Sequence, residues 1–107
     1  MPVIRVDFDN QKVTDKDVTA LCEAVQKIVC EATGIEDVFV YANSAHIHVK
    51  IAPIEVFVEM SAHKIQDVDT LLRTITKGIS QWKAANHFPH LVNLTLDPKQ
   101  WKIELGI

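Results

Sequence analysis

Five short segments have the alternating or β-branched apolar pattern that is typical of strands. They are Val3–Phe8, Asp37–Ala42, His46–Ile51, Ile54–Met60 and Leu91–Leu96. In the first, Ile4, Val6 and Phe8 share one face, as in a half-buried strand. A further short strand is predicted over Trp101–Leu105, after a turn at Asp97-Pro98.

Two longer segments repeat apolar residues with a helical period and are bounded by helix signals. The first helix is predicted over 15–33, with Thr14 as N-cap and Gly34 at its C-terminal end. The second begins near Asp67 and ends between Asn86 and Pro89. Gly78 lies inside this helix, where it lowers helix propensity by about 1 kcal/mol, so we expect close packing there.

The order of these elements predicts an α+β fold of two β-α-β repeats. The repeats span about 1–52 and 53–107 of a single domain, residues 1–107. Because such crossovers are right-handed, both helices should cover one face of a four-stranded mixed core sheet. The other face carries Val3 and Phe57 with nothing in the chain to cover it, which favours association into a homo-oligomer.

Composition narrows the classes of function. The chain has 107 residues and a net charge of −3, with no stripe of Lys or Arg that would favour nucleic acid. No apolar run approaches the ~18 residues of a membrane span, and the beginning of the chain lacks signal-peptide features. We therefore expect a cytoplasmic protein. Motifs for nucleotide binding are absent, and no cofactor is predicted.

The candidate for chemistry is Pro2. The chain opens with the segment Met1–Val6, and a similar segment begins at Pro53. In each segment the proline opens a β-rich run. Removal of Met1 by methionine aminopeptidase would expose Pro2 as a secondary amine. An α-amino group has a pKa near 7.7–8.0, and an apolar pocket lowers it toward the range of a general base. A structural interpretation also stands, since proline is common at the first residue of a strand.

Three segments resemble sequences of the tautomerase superfamily, which includes macrophage migration inhibitory factor and 4-oxalocrotonate tautomerase. They look most like its small bacterial members. The three segments are Pro2-Val3-Ile4, Ala32-Thr33-Gly34, and Leu94-Thr95-Leu96-Asp97 followed by Trp101. The resemblance implies the same two-repeat fold, a homotrimer, and keto–enol tautomerisation with the N-terminal proline as base. The implied partner is a small enolisable carbonyl compound.

The resemblance also suggests substrate-binding residues. Lys12 falls near the position of a family arginine, and His63 and Lys64 follow the strand whose end lies beside the proline. Trp101 is placed to close the mouth of a pocket. Each has a structural alternative: an exposed loop residue for the first three, and packing at a subunit edge for the tryptophan.

Three departures from the family leave the usual 2-oxo-acid and phenylpyruvate substrates in doubt. Phe39 stands where a second arginine is found, Asn93 where a tyrosine is found, and Ile35 where a lysine is found. A non-catalytic oligomeric protein that binds a small ligand or a protein partner is therefore the alternative. An unrelated ferredoxin-like α+β module is a third interpretation.

Histidine and cysteine patterns predict no metal site. His46 and His48 share one face of a predicted strand, but no third ligand is indicated, so an exposed polar face is favoured. Cys22 and Cys30 lie eight residues apart on one helix, roughly 12 Å, too far for a disulfide. They are interpreted as small buried residues.

Overall fold

The computed structural model describes residues 1–107 and contains one four-stranded sheet and two α-helices. The elements are β1 (Val3–Phe8), α1 (Asp15–Thr33), β2 (Phe39–Ser44), β3 (Ile54–Ser61), a short 3-10 turn (Ala62–Lys64), α2 (Val68–Asn86) and β4 (Asn93–Lys99). The predicted α+β class, with two helices and a four-stranded mixed sheet, is confirmed. Neither helix is long and apolar enough to cross a membrane.

The sheet has the strand order β2-β1-β3-β4. β1 pairs with β2 in parallel and β3 pairs with β4 in parallel, so each β-α-β half contributes one parallel pair. The antiparallel ladder between β1 and β3 joins the two halves, with Val3 opposite Glu59 and Phe8 opposite Ile54. The N-terminal end of β1 therefore meets the C-terminal end of β3.

Both helices begin at side chains that accept a hydrogen bond from the first helical turn. Thr14 Oγ1 accepts from the backbone N–H of Asp17 at 3.2 Å, and α1 spans the predicted residues. Asp67 Oδ1 accepts from the backbone N–H of Thr70 at 3.0 Å. That bond is the main reason that the pKa of Asp67 lies below its ordinary value. Gly34 ends α1 with φ of +71°, the left-handed conformation that glycine adopts without strain.

The core lies between the two helices and one face of the sheet. Apart from Phe8 it is aliphatic, and it is built from every second residue of β1 and β3 and from the inward stripes of the helices. Its fully buried members include Ile4, Val6, Leu21, Val25, Val29, Ile54, Val56, Val58 and Ile75. The predicted inward faces of both central strands are therefore the faces that the structure buries.

The strand predicted over His46–Ile51 is wrong. The chain has no regular structure there, and Ile47 and Val49 are 88% and 104% exposed. Residues 45–53 must carry the chain from β2 past the end of β1 to β3, and the backbone N–H of Asp9 donates to Pro53 O at 3.0 Å along this path. A segment that crosses the end of a sheet has no neighbouring strand to pair with.

The strand predicted over Trp101–Leu105 is also absent. β4 lies at the edge of the sheet, so no strand of this chain lies beyond it to pair with the tail. The turn predicted at Asp97-Pro98 falls instead inside β4, where Pro98 is opposite Met60. An edge strand tolerates proline because the missing N–H is not required on the open side.

The sheet face without helices combines charged pairs with exposed aromatic rings. Arg5 binds Asp7 and Glu59 at 3.2 and 3.4 Å, and its guanidinium carbon lies 4.4 Å from the centre of the Phe57 ring. Phe39 is 53% exposed at the same face. This face has no cover within the chain.

Candidate active site

Pro2 lies immediately before β1, at the end of the sheet where β1 and β3 meet. Its residue is less than 2% exposed, and its carbonyl oxygen accepts the N–H of Phe39 at 3.1 Å. Continuing the antiparallel register by one position places Pro2 opposite Met60 of β3. In the chain described here the Pro2 nitrogen is joined to Met1, and an amide nitrogen is not a base.

Two of the predicted site residues lie in the turn that directly follows β3. His63 and Lys64 are both exposed in the 3-10 turn Ala62–Lys64, at the same end of the sheet as Pro2. Their side chains form no hydrogen bond or ion pair with the rest of the chain.

Trp101 is anchored at this end by a hydrogen bond to a residue that the sequence analysis missed. Its indole Nε1–H donates to Ser61 Oγ at 2.5 Å. Ser61 is the last residue of β3 and is 8% exposed, one of two buried polar residues in the chain. The available signal was its position, because Ser61 ends the strand that runs toward Pro2 and immediately precedes the turn with His63.

Lys12 lies at the opposite end of the sheet. It follows β1, in a turn where its backbone N–H donates to Asp9 O at 3.0 Å, and its side chain is exposed. β1 has six residues, so about 20 Å of strand separates the Lys12 turn from Pro2. One copy of the chain does not bring Lys12 and Pro2 together.

Lys99 is a cation beside Ser61 that the sequence analysis did not name. The β3–β4 register places Lys99 opposite Ser61, and its Nζ binds Asp97 at 2.8 Å and Glu59 at 3.4 Å. The hydrogen bond to Asp97 is the main cause that raises the pKa of Lys99, so the ammonium stays charged. Glu59 also binds Arg5, so the two cations share three carboxylates, those of Asp7, Glu59 and Asp97.

The structure has two clefts, and they lie at different ends of the sheet. One of about 350 Å³ lies between the end of α1 and the beginning of α2, and Lys64, Thr33 and Thr70 line it. The other, about 390 Å³, lies at the far end of the sheet, away from Pro2, and Asp7, Glu55 and Lys50 contribute to it. Pro2 lines neither of them.

The remaining candidates form no reactive cluster. His46 and His48 are exposed, and no group of three or more His, Cys, Asp or Glu side chains is arranged to hold a metal ion. Cys22 and Cys30 are free and partly buried. Burial raises the pKa of the Cys22 thiol, which makes it a poor nucleophile.

Comparison with solved structures places this fold among known proteins. No protein-family model and no curated protein sequence matches the chain. Malonate semialdehyde decarboxylase matches with a TM-score of 0.70 and 11% identity, covering 98% of this chain and 92% of its own. That enzyme was solved as wild type, with its first residue changed from proline to alanine, and in an inactivated form.

Two further structures give the same result. A fused 4-OT, an asymmetric trimer, matches with a TM-score of 0.64 and 13% identity over 91% of this chain and 85% of its own. A macrophage migration inhibitory factor-like protein from Entamoeba histolytica matches with a TM-score of 0.65 and 11% identity, covering 96% and 95%. All three are tautomerase superfamily proteins, and the resemblance seen in the sequence is confirmed at the level of architecture. This chain has the tautomerase fold.

Proposed function

We propose that this protein catalyses tautomerase-type proton transfer on a small enolisable carbonyl compound, with the nitrogen of Pro2 as general base after removal of Met1. The observation that carries the proposal is the burial of Pro2 at the end of a central strand in this fold. A fold neighbour whose first residue is a proline acts as a decarboxylase, which supports a catalytic role for Pro2 once Met1 is removed.

The chemistry follows from the surroundings of the amine. Burial disfavours the charged ammonium form, so the pKa of a freed Pro2 falls below that of an ordinary α-amino group. The neutral amine takes a proton from the carbon next to a carbonyl, and the electron pair of the broken C–H bond moves onto the carbonyl oxygen as an enolate. The ammonium then returns the proton to another atom of the same molecule, and no cofactor is consumed.

Substrate contacts come from the same end of the sheet. We assign His63 and Lys64 to the substrate side of Pro2 because both are exposed, unpaired and beside the end of β3. Trp101 forms part of the wall of the substrate site beside Pro2. Lys12 is able to contribute only from a second copy of the chain, since its own turn lies at the far end of the sheet.

A homo-oligomer, with a trimer favoured, completes the proposal. The helix-free sheet face exposes Phe39 and Tyr41 by 53% and 48%, and nothing in the chain covers them. The fused 4-OT with the same fold is a trimer. Two β-α-β repeats, about 1–52 and 53–107, form a single domain in each copy. We place the protein in the cytoplasm, where methionine aminopeptidase processes new chains.

The test begins with the intact mass of protein expressed without an N-terminal tag, which shows whether Met1 is lost. Purified enzyme is then screened for enolisation of small 2-oxo acids and aldehydes, with Pro2→Ala as the matched variant. Alanine also permits removal of Met1, so this variant keeps a free but primary amine. We expect its kcat/KM to fall by roughly 100-fold or more. Equal activity in the two proteins would rule out Pro2 as the base.

A non-catalytic ligand-binding or partner-binding oligomer is the second candidate. It is favoured by the balanced charges of Arg5 and Lys99, which leave few free cations to hold an anionic substrate. Retention of Met1, together with an absence of turnover, would exclude Pro2 as the base and favour this alternative over catalysis.

A further inference from the structure

Ser61 combines burial with an unused proton at the end of the sheet that holds Pro2. We infer that the Ser61 hydroxyl donates a hydrogen bond to the carbonyl oxygen of the substrate, and that Trp101 positions it. This inference rests on the proposed function, because it assigns a role at the same site. It names a neutral donor for the oxygen that becomes negative during proton transfer.

The direction of the Ser61–Trp101 hydrogen bond leaves the serine proton free. An indole N–H is only a donor, so Ser61 Oγ must be the acceptor in the 2.5 Å contact. No other hydrogen bond of the Ser61 side chain is present in the structure. The hydroxyl is thus held by its oxygen, and its O–H is left to point to a group outside the chain.

The pairing of β1 with β3 brings Ser61 to the same end of the sheet as the nitrogen of Pro2. The observed ladder ends at Val3 opposite Glu59, and continuing it by two positions would set Met1 opposite Ser61, with both side chains on the same face of the sheet. On that continuation the bond from Met1 to the Pro2 nitrogen lies next to Ser61. Removal of Met1 turns the space beside Ser61 into the approach to the amine, which is where a carbonyl substrate has to lie.

The charged side chains at the Pro2 end of the sheet do not supply a buried hydrogen-bond donor, so a neutral donor is needed there. Lys99 and Arg5 already bind carboxylates, and His63 and Lys64 are exposed to water, which weakens their effect on a buried charge. Ser61 is 8% exposed, and a donor held in a site that excludes water stabilises a developing oxyanion most strongly. Trp101 already holds the oxygen of this hydroxyl, so only the O–H bond has to rotate toward the substrate.

Ethyl propiolate provides a probe that uses both groups. The neutral Pro2 nitrogen attacks the terminal alkyne carbon, an N–C bond forms, and one π bond of the alkyne breaks. Its electrons move onto the ester carbonyl oxygen, which Ser61 stabilises. The proton of the ammonium then moves to the carbon next to the ester, and the product is an enamine adduct with no oxidant required. The pH midpoint of the labelling rate reports the pKa of the amine, whereas the high-pH plateau reports stabilisation of the oxyanion.

The experiment measures the labelling rate against pH for processed wild type and for Ser61→Ala, with peptide mass locating the adduct on Pro2. We expect Ser61→Ala to lower the plateau by about tenfold or more with little change in the pH midpoint. Ser61→Thr keeps a hydroxyl and restores most of the rate. Ser80→Ala, on the exposed surface of α2, is the matched control and labels like wild type.

Trp101→Phe separates positioning from folding. It retains the aromatic ring and the Ser61 hydroxyl but removes the indole donor, so we expect a smaller loss in the plateau and circular dichroism like that of wild type. If Ser61→Ala does not fold, the plateau labelling rate of Trp101→Phe tests the role of Ser61 instead.

The two proposals fail in different ways. Wild-type plateau rates in both Ser61→Ala and Trp101→Phe, with the adduct on Pro2, overturn the role of Ser61 and leave the Pro2 base standing. A midpoint equal to that of an ordinary amine, or retention of Met1, overturns the proposed function and the role of Ser61 with it.

Discussion

Gly78 of α2 lies directly against Ile28 of α1. A Cβ added at residue 78 would lie 2.7 Å from Ile28 Cγ2, closer than real carbon atoms approach. The close approach of the two helices that the sequence suggested therefore depends on this glycine.

Gly78→Ala sets two effects against each other. Alanine raises helix propensity by about 1 kcal/mol, whereas overpacking against Ile28 costs about 1–3 kcal/mol. We expect the variant to lower the free energy of unfolding in urea by about 1 kcal/mol. In an Ile28→Ala background the clash is gone, so the same Gly78→Ala change should increase stability. The same sign in both backgrounds would show that the contact with Ile28 does not limit residue 78.

Asp67 makes the beginning of α2 sensitive to acid. Its hydrogen bond with the Thr70 N–H lowers its pKa below the ordinary value of 3.8. A carboxyl whose pKa is lower in the folded state stabilises that state above about pH 4, and the contribution is lost as the pH falls through the folded pKa.

Asp67→Asn is the matched variant, because asparagine also caps a helix but does not titrate there. We expect the stability of wild type relative to Asp67→Asn to decrease between about pH 5 and pH 2, measured by urea unfolding at each pH. A difference that stays constant over this range would contradict the role of the Asp67 charge.

His90 ties the segment between α2 and β4 to the beginning of α1. Its Nε2 lies 3.1 Å from Asp17 Oδ2, and its ring packs edge-on against Phe88 at 5.2 Å between centroids. We expect His90→Ala to cost about 1 kcal/mol of stability, since it removes both contacts. His90→Phe keeps the aromatic contact and should cost less. Equal stability of His90→Ala and wild type in thermal unfolding would show that neither contact contributes.

The helix-free face is predicted to be buried in the assembled protein. Phe39→Glu places a charge on that face, and we expect the mass in light scattering to fall toward that of a monomer. Val68→Glu, on an exposed position of α2, is the control and should assemble like wild type. An unchanged mass for Phe39→Glu would show that this face is not the interface.

The helices and the central strands were predictable because local signals and the global fold agree. In the sequence, Thr14 and Gly34 mark the beginning and the end of α1. In the structure, they are the residues that cap this helix. The alternation of β1 matches its burial because the two helices cover only one face of the sheet. Where local pattern and topology conflict, as at His46–Ile51, the topology decides, since a strand requires a partner that the connection cannot reach.

The candidate site was only partly predictable. Pro2, His63 and Lys64 are close in the predicted order of strands, and the structure brings them to one end of the sheet. The contact between Trp101 and Ser61 joins residues forty positions apart. No periodicity reports such a pair, because it depends on how the tail turns back from β4 over β3.

The β1–β3 ladder also provides a pairing through which two copies of the chain can exchange their β-α-β halves. It is the strand pairing that joins the two halves, and the irregular segment 45–53 is the link between them. If that link extends, β1 of one chain pairs with β3 of another, and every contact within each half is kept. An exchange through this link would rebuild the ladder between two chains, so we expect swapped dimers when the protein refolds at high concentration.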